Sequence, residues 1–264
     1  MDYIFDTHAH YDDAAFDDDR DTLLSGLREH GIGYVVNVGA SLASCEATLE
    51  LTKQYPFVYG ALGVHPNETG GLSERALQWL KESSRQEKIV AIGEIGLDYY
   101  WDEPERTVQK KWFLAQLAAA KEEALPVIIH SRDAAKDTLD IMKAERDGLC
   151  GGVIHCFSYS VEIAREYLNM GFYLGIGGVL TYKNARNLKE VVEYAPLSSL
   201  VLETDCPYLT PHPNRGKRNS SQYLPLVVEA LAQMKKTAPE TIIQETTRNA
   251  GRLYGLETAA EDTD

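Results

Sequence analysis

Along this chain, short runs of consecutive apolar and β-branched positions alternate with longer stretches in which apolar residues recur every three or four positions. The short runs are 3–5 (YIF), 34–38 (YVVNV), 58–64 (VYGALGV), 89–95 (IVAIGEI), 126–130 (PVIIH), 152–156 (GVIHC), 173–178 (YLGIGG) and 200–205 (LVLETD). The helical patterns cover 16–30, 42–54, 73–86, 105–124, 133–146, 160–170, 184–194, 221–235 and 239–253. Near-continuous hydrophobic runs are the mark of strands buried on both faces. Strands separated by helices imply βαβ units and a parallel sheet. Eight such runs predict an α/β fold, a single (β/α)8 TIM-type barrel. An open doubly wound sheet would carry a glycine-rich phosphate loop after its first strand, and here the first run leads into Asp6-Thr7-His8-Ala9-His10 instead. No internal repeat or long linker interrupts the pattern. One domain is therefore expected over 1–256, followed by an acidic, disordered tail at 257–264.

The polar residues that end the runs carry the chemistry. Five of the seven histidines stop an apolar run: His8, His10, His65, His130 and His155. Glu94 and Asp205 end two more. Barrel active sites are built at the C-terminal ends of the strands. A lone histidine there is most simply a hydrogen-bonded core residue. So many ligand-type residues at strand ends are costly to bury unless they are paired or coordinate metal, and they predict a metal site at that end of the barrel. Residues i and i+2 of a strand point to one side, so His8 and His10 can aim at one point. The same parity groups Asp6 with them, and Glu203 with Asp205. Asp6 and Glu203 are expected one layer below, either orienting histidines or closing buried structural hydrogen bonds.

Composition narrows the partners. The chain has 264 residues, 44% hydrophobic and 25% charged, with a formal net charge of −14. That balance argues against a broad electrostatic grip on nucleic acid, but leaves room for a small site where bound cations supply the positive charge. The longest irregular stretch, 206–220, concentrates Arg215, Lys217 and Arg218 directly after Asp205. These are candidates for contact with an anionic substrate, against the simpler reading of a solvated loop. Tyr99, Tyr100 and Trp101 follow Glu94 and either stack a base or pack beneath a loop. No uninterrupted apolar stretch is long enough to span a membrane, and the start of the chain lacks a secretion-signal core. The four cysteines are scattered without CxxC spacing, which points to a reduced, cytoplasmic protein. Cys156 and Cys206 are expected to be small buried hydrophobes.

Taken together, DTHAHYDD (6–13), GVHP, IGEIGLDYY, PVIIHSRDA, GVIHCFS and LETDCPYLTP resemble the successive blocks of the TatD family of metal-dependent deoxyribonucleases, within the amidohydrolase-like barrel superfamily. The resemblance runs in order from residue 6 to about residue 254. It implies two divalent metal ions, Mg, Mn or Zn. His8, His10 and Asp205 would hold one, His130 and His155 the other, and Glu94 would bridge them. Glu94 and Asp205 would be the catalytic carboxylates, with Asp205 accepting the proton of water. His65 would contact a phosphate oxygen or the leaving group. The implied substrate is single-stranded or frayed DNA, bound weakly and cut from the 3′ end, with no membrane and no obligate protein partner. The alternatives are hydrolysis of an amide, lactone or aminoacyl ester by the same barrel, or a non-enzymatic, metal-stabilised binding protein.

Overall fold

The computed structural model describes residues 3–258. Among them, eight strands form one parallel sheet in sequence order: β1 (Ile4–Ala9), β2 (Ile32–Val38), β3 (Val58–Leu62), β4 (Ile89–Asp98), β5 (Val127–Arg132), β6 (Gly152–Ile154), β7 (Tyr173–Ile176) and β8 (Leu200–Leu202). Helices alternate with them: α1 (Arg20–Gly26), α2 (Leu42–Gln54), α3 (Glu74–Ser84), α4 (Arg106–Glu123), α5 (Ala135–Ala144), α6 (Val161–Asn169), α7 (Arg186–Tyr194) and α8 (Leu224–Lys235), with α9 (Pro239–Tyr254) last. This is the expected (β/α)8 TIM barrel. No helix among the described residues is long and apolar enough to cross a membrane.

Two apolar layers hold it together. The larger lies between the strands and the surrounding helices. The smaller fills the barrel from below, where Val36, Ile128, Val153 and Val201 meet Ala250, Leu253 and Tyr254 of α9. Strand alternation links this plug to the site above. Ile128 sits two residues before His130, and Val153 two residues before His155, so one face of each strand packs the floor and then supplies a polar side chain. Each fully buried aliphatic side chain in the plug contributes roughly 1.5–3 kcal/mol. That keeps the lower end closed and leaves the polar chemistry at the upper end.

The seam between β8 and β1 is closed differently. Beyond Leu202 the chain leaves the ladder. The His10 amide donates to the Cys206 carbonyl (2.9 Å) and the Asp205 amide to the His8 carbonyl (2.9 Å). Below them the buried Asp6 carboxylate accepts from the Thr204 amide (3.0 Å), the Thr204 hydroxyl (2.7 Å) and the Ser221 hydroxyl (2.6 Å). A side chain thus does the work of a missing ladder rung. Of the two roles open to Asp6, this is the buried structural hydrogen bond. The register of β1 is irregular between Asp6 and Ala9, so Asp6 turns to the seam and meets His8 only through its backbone amide (3.3 Å).

Element boundaries differ from the sequence pattern where polar residues leave the ladder. β6 and β8 stop at Ile154 and Leu202, whereas β4 runs on to Asp98. The 16–30 stretch divides into α1 and a 3-10 turn, Leu27–His30, which ends at Gly31 with φ 78°. Of the tail expected over 257–264, Glu257 and Thr258 are described and Thr258 is buried; the remainder lies outside the described residues.

Replacing Asp6 by Ala removes the acceptor of the Thr204 amide and hydroxyl, the Ser221 hydroxyl and the His8 amide in the core. At about 1–3 kcal/mol per unsatisfied buried group, partly relieved by relaxation, the expected loss is about 3 kcal/mol, against about 1 kcal/mol for Ser221→Ala. Urea unfolding of both variants checks this. Equal midpoints would show that Asp6 does not clasp the seam.

Candidate metal centre

The strand ends bring His8, His10, His65, Glu94, His130, His155 and Asp205 into one cluster. Glu94 lies at its middle, buried, with its two oxygens turned to different sides. Oε2 faces His8 Nε2 (3.5 Å) and His10 Nε2 (3.8 Å). Oε1 faces His130 Nδ1 (2.7 Å), His155 Nε2 (3.4 Å) and His65 Nε2 (3.9 Å). Asp205 Oδ1 joins the first side, 3.4 Å from His10 Nε2 and 3.9 Å from His8 Nε2. Four overlapping trios have their donor atoms within 4.8 Å of one another: His8–His10–Glu94, His8–His155–Asp205, Glu94–His130–His155 and His65–Asp98–His130.

The arrangement of the ring nitrogens fits a cation. His8 Nε2 and His10 Nε2 are 3.1 Å apart. Two nitrogens sharing one tetrahedral ion, each at about 2.0 Å, lie about 3.3 Å apart. The outer nitrogens of His10 and His130 are hydrogen-bonded from behind and that of His155 faces a carboxylate, which helps to orient the inner ones. His10 Nδ1 is 2.8 Å from the Val38 carbonyl oxygen. His155 Nδ1 is 3.4 Å from Glu203 Oε1, which also accepts the Cys156 amide (2.6 Å). His130 Nε2 is 3.2 Å from Asp98 Oδ2. Neither His8 Nδ1 nor His155 Nδ1 has a hydrogen-bond partner, so the Glu203 contact to His155 is electrostatic. Gly175 makes room for one of these supports, because a Cβ there would lie 2.1 Å from Glu203 Oε2. Asp205 and Cys156, next to His155, hold left-handed backbone (φ 56° and 45°). Such strain costs on the order of 1–3 kcal/mol and concentrates at functional sites.

The electrostatics follow from crowding. Burial opposes ionisation of Glu94, yet His155, His130 and His65 hold its carboxyl well below the usual carboxylate range. Asp205 is likewise lowered against burial, chiefly by His10. Burial would lower His155, but Glu203 and Glu94 push it up to about 10. Burial and the nearby His130 take His65 down to about 3, so its ring is neutral at physiological pH. Without a cation, protons on some histidines balance the carboxylates. A metal ion would take their place.

The cluster forms the floor of a cavity of about 880 Å³ that opens between Trp101, Arg132 and Ser158 on one side and Asp12, Asp13 and Tyr208 on the other. Arg215 and Lys217 are exposed and do not line it. The Arg215 guanidinium lies 4.0 Å over the Tyr182 ring, and Lys217 Nζ donates to Asn214 (3.3 Å). Arg218 pairs with both oxygens of Asp19 (2.8 and 2.6 Å), clamping its loop to the chain after β1. Of the three aromatics, Tyr99 is half-buried beneath Arg106 (4.1 Å), while Tyr100 and Trp101 are exposed. Cys206 is buried as expected; Cys156 is only half-buried and lines the cavity.

Two residues of this centre escaped the sequence reading, Asp98 and Arg132. Both lie on the strands that carry a ligand-type residue. Asp98 shares even parity with Glu94, and Arg132 with His130, so the rule that found Glu203 would have found them had the runs been extended.

The family model described as TatD related DNase matches residues 5–255. The uncharacterized metal-dependent hydrolase YabD of Bacillus subtilis (strain 168) is 45% identical over 253 residues, covering 96% of this chain and 99% of that protein. The uncharacterized metal-dependent hydrolase YcfH of Escherichia coli (strain K12) is 34% identical over 258 residues, 97% of each. The crystal structure of YJJV, a TatD homolog from Escherichia coli K12, superposes with a TM-score of 0.91 at 31% identity, covering 96% of this chain and 98% of that one. On this match of sequence and barrel, the chain belongs to the TatD family and is a metal-dependent hydrolase.

Proposed function

We propose that the protein is a deoxyribonuclease that uses two divalent ions (Mg, Mn or Zn) to hydrolyse phosphodiester bonds of single-stranded or frayed DNA, working from the 3′ end. The observation that carries this reading is the division of the Glu94 carboxylate, one oxygen toward His8 and His10 and the other toward His130 and His155. A carboxylate so placed suits a bridge between two ions. His8, His10 and Asp205 would complete one set of ligands, and His130 and His155 the other. Bound there, such ions supply Lewis acidity to a phosphoryl oxygen and lower the pKa of water. The family description, TatD related DNase, supports a phosphodiester as the bond cleaved.

The chain's own groups take the remaining roles. Asp205, ionised and reaching the cavity, accepts the proton of the attacking water. The Asn67 amide donates to His65 Nδ1 (3.3 Å), which leaves the proton of this neutral ring on Nε2, facing Glu94. That N–H donates to a phosphate oxygen or the leaving group. Arg132 neutralises a phosphate in the cavity, and Arg215 and Lys217 meet phosphates farther along the strand. Binding is weak, since a chain of charge −14 repels DNA at long range. Four unpaired thiols support a reducing, cytoplasmic setting. No obligate protein partner is needed for any of these steps.

Three outcomes are expected. The purified protein supplied with Mg, Mn or Zn cleaves single-stranded DNA, and chelation stops it. Metal-dependent turnover of a lactone, amide or aminoacyl ester with DNA left intact would replace this reading by its alternative.

Glu94→Gln lowers kcat by about a thousandfold, while His65→Ala lowers kcat/KM by about a hundredfold with part of the loss in KM. Equal losses confined to kcat in both variants would refute the division of roles.

Gly175→Ala displaces Glu203 and so loosens His155. Zinc affinity, measured by competition with a chelator, is expected to fall about 10- to 100-fold. Unchanged affinity would mean that Glu203 does not support a ligand.

A further inference from the structure

We infer that Trp101, beside the stacked Tyr100–Arg132 pair, forms a subsite at the mouth of the metal cavity for a nucleobase and its phosphate. This rests on the phosphodiesterase reading and names what the same site recognises.

Trp101 is 64% exposed and Tyr100 55% exposed, large aromatic faces left in water where burial would be favourable. The two rings meet edge to face at 5.1 Å. The Arg132 guanidinium lies 3.8 Å over Tyr100 and is in no salt bridge among the described residues. A guanidinium flat on an aromatic keeps its N–H edge free for a phosphate, and an exposed indole offers a face to any base.

The backbone that carries the indole is held from the metal centre. Asp98 Oδ1 accepts the Tyr100 amide (2.9 Å) and the Trp101 amide (3.2 Å), while its Oδ2 faces His130 Nε2 (3.2 Å). One buried carboxylate thus ties the aromatic turn to a ligand-type histidine, at a constant distance from the cluster. The far bank adds direction. Strand order places β4 and β5 across the barrel from β8 and β1, and the latter side presents Asp12 and Asp13 to the cavity. An anionic aromatic ligand is repelled there and drawn to the Trp101–Arg132 side.

The test uses the zinc-loaded full chain and two probes, dAMP and the base-free 2-deoxyribose 5-phosphate. Titration calorimetry gives affinity, and the part of the indole fluorescence change that is lost in Trp101→Leu reports on Trp101 among the three tryptophans. The wild type is expected to bind dAMP about 5- to 100-fold more tightly than the sugar phosphate. Trp101→Leu should erase that preference without changing sugar phosphate affinity, and Trp101→Phe should keep part of it. Arg132→Gln should weaken both probes alike. Because the indole is exposed, circular dichroism of the variants should match the wild type. Equal binding of both probes by the wild type, or a preference that survives in Trp101→Leu, overturns the subsite. Turnover separates this from the parent reading. A Trp101-dependent preference without DNA cleavage removes the nuclease and keeps the subsite. DNA cleavage with unaltered KM in Trp101→Leu does the reverse.

Discussion

A single ionised carboxylate, that of Glu94, sets the terms for this barrel. Removing such a charge from water costs several kcal/mol even after the protein relaxes around it. Glu94 nevertheless remains ionised, because imidazoles on β1 and β5 and just after β3 and β6 surround it. No single local segment could supply that shell, since the groups come from positions over a hundred residues apart in sequence. A closed parallel barrel can, because it delivers one strand end from every βα unit to the same rim. The metal chemistry is an extension of the same constraint: a cation satisfies a buried carboxylate and histidines crowded around it at the floor of the cavity.

The shell would be imprecise without what lies behind it. Glu203 behind His155, the Val38 carbonyl behind His10 and Asp98 behind His130 each fix the tilt of a ring. These supports impose demands of their own. Glu203 needs the bare α-carbon of Gly175, and the seam beside it needs Asp6 because β8 is only three residues long. The strand is short for a functional reason. Continuing the ladder past Leu202 would point Glu203 and Asp205 along a regular strand; leaving it lets Asp205 adopt φ 56° and turn its carboxylate into the cavity. Stability surrendered at the seam is recovered by side-chain hydrogen bonds and by the α9 plug beneath.

Much of this was legible in the sequence because two periodicities coincide there. Apolar runs marked the strands, and the polar residue stopping each run marked the rim, so His130 and His155 announced themselves. The same logic was insufficient where the backbone departs from alternation. Parity alone left Asp6 open between orienting a histidine and closing a structural hydrogen bond, and the irregular register of β1 decides for the latter. Asp98 and Arg132 were hidden because β4 and β5 continue beyond their last apolar residues, to Asp98 and Arg132 themselves. Clusters of charge were the least informative signal. Arg218, grouped with Arg215 and Lys217 by sequence, is committed to Asp19, and only its fold neighbours reveal that.

On the phosphodiesterase reading, local charge reconciles so acidic a chain with an anionic substrate. Glu94, Asp98 and Asp205 are all held below the usual carboxylate range, and so bring three negative charges to the cavity floor. On the two-ion reading, the ions bring four positive charges. Asp12, Asp13 and Arg132 also line the cavity, so its fixed charge is negative, and on that reading the attraction for a phosphodiester rests on the ions. Long-range repulsion from the acidic surface is screened within about 10 Å at ordinary salt, whereas the few ångströms between ion and phosphate are not. Selection by such a site is therefore local. On that reading it depends on the ions and on the groups lining the mouth rather than on the overall charge of the protein.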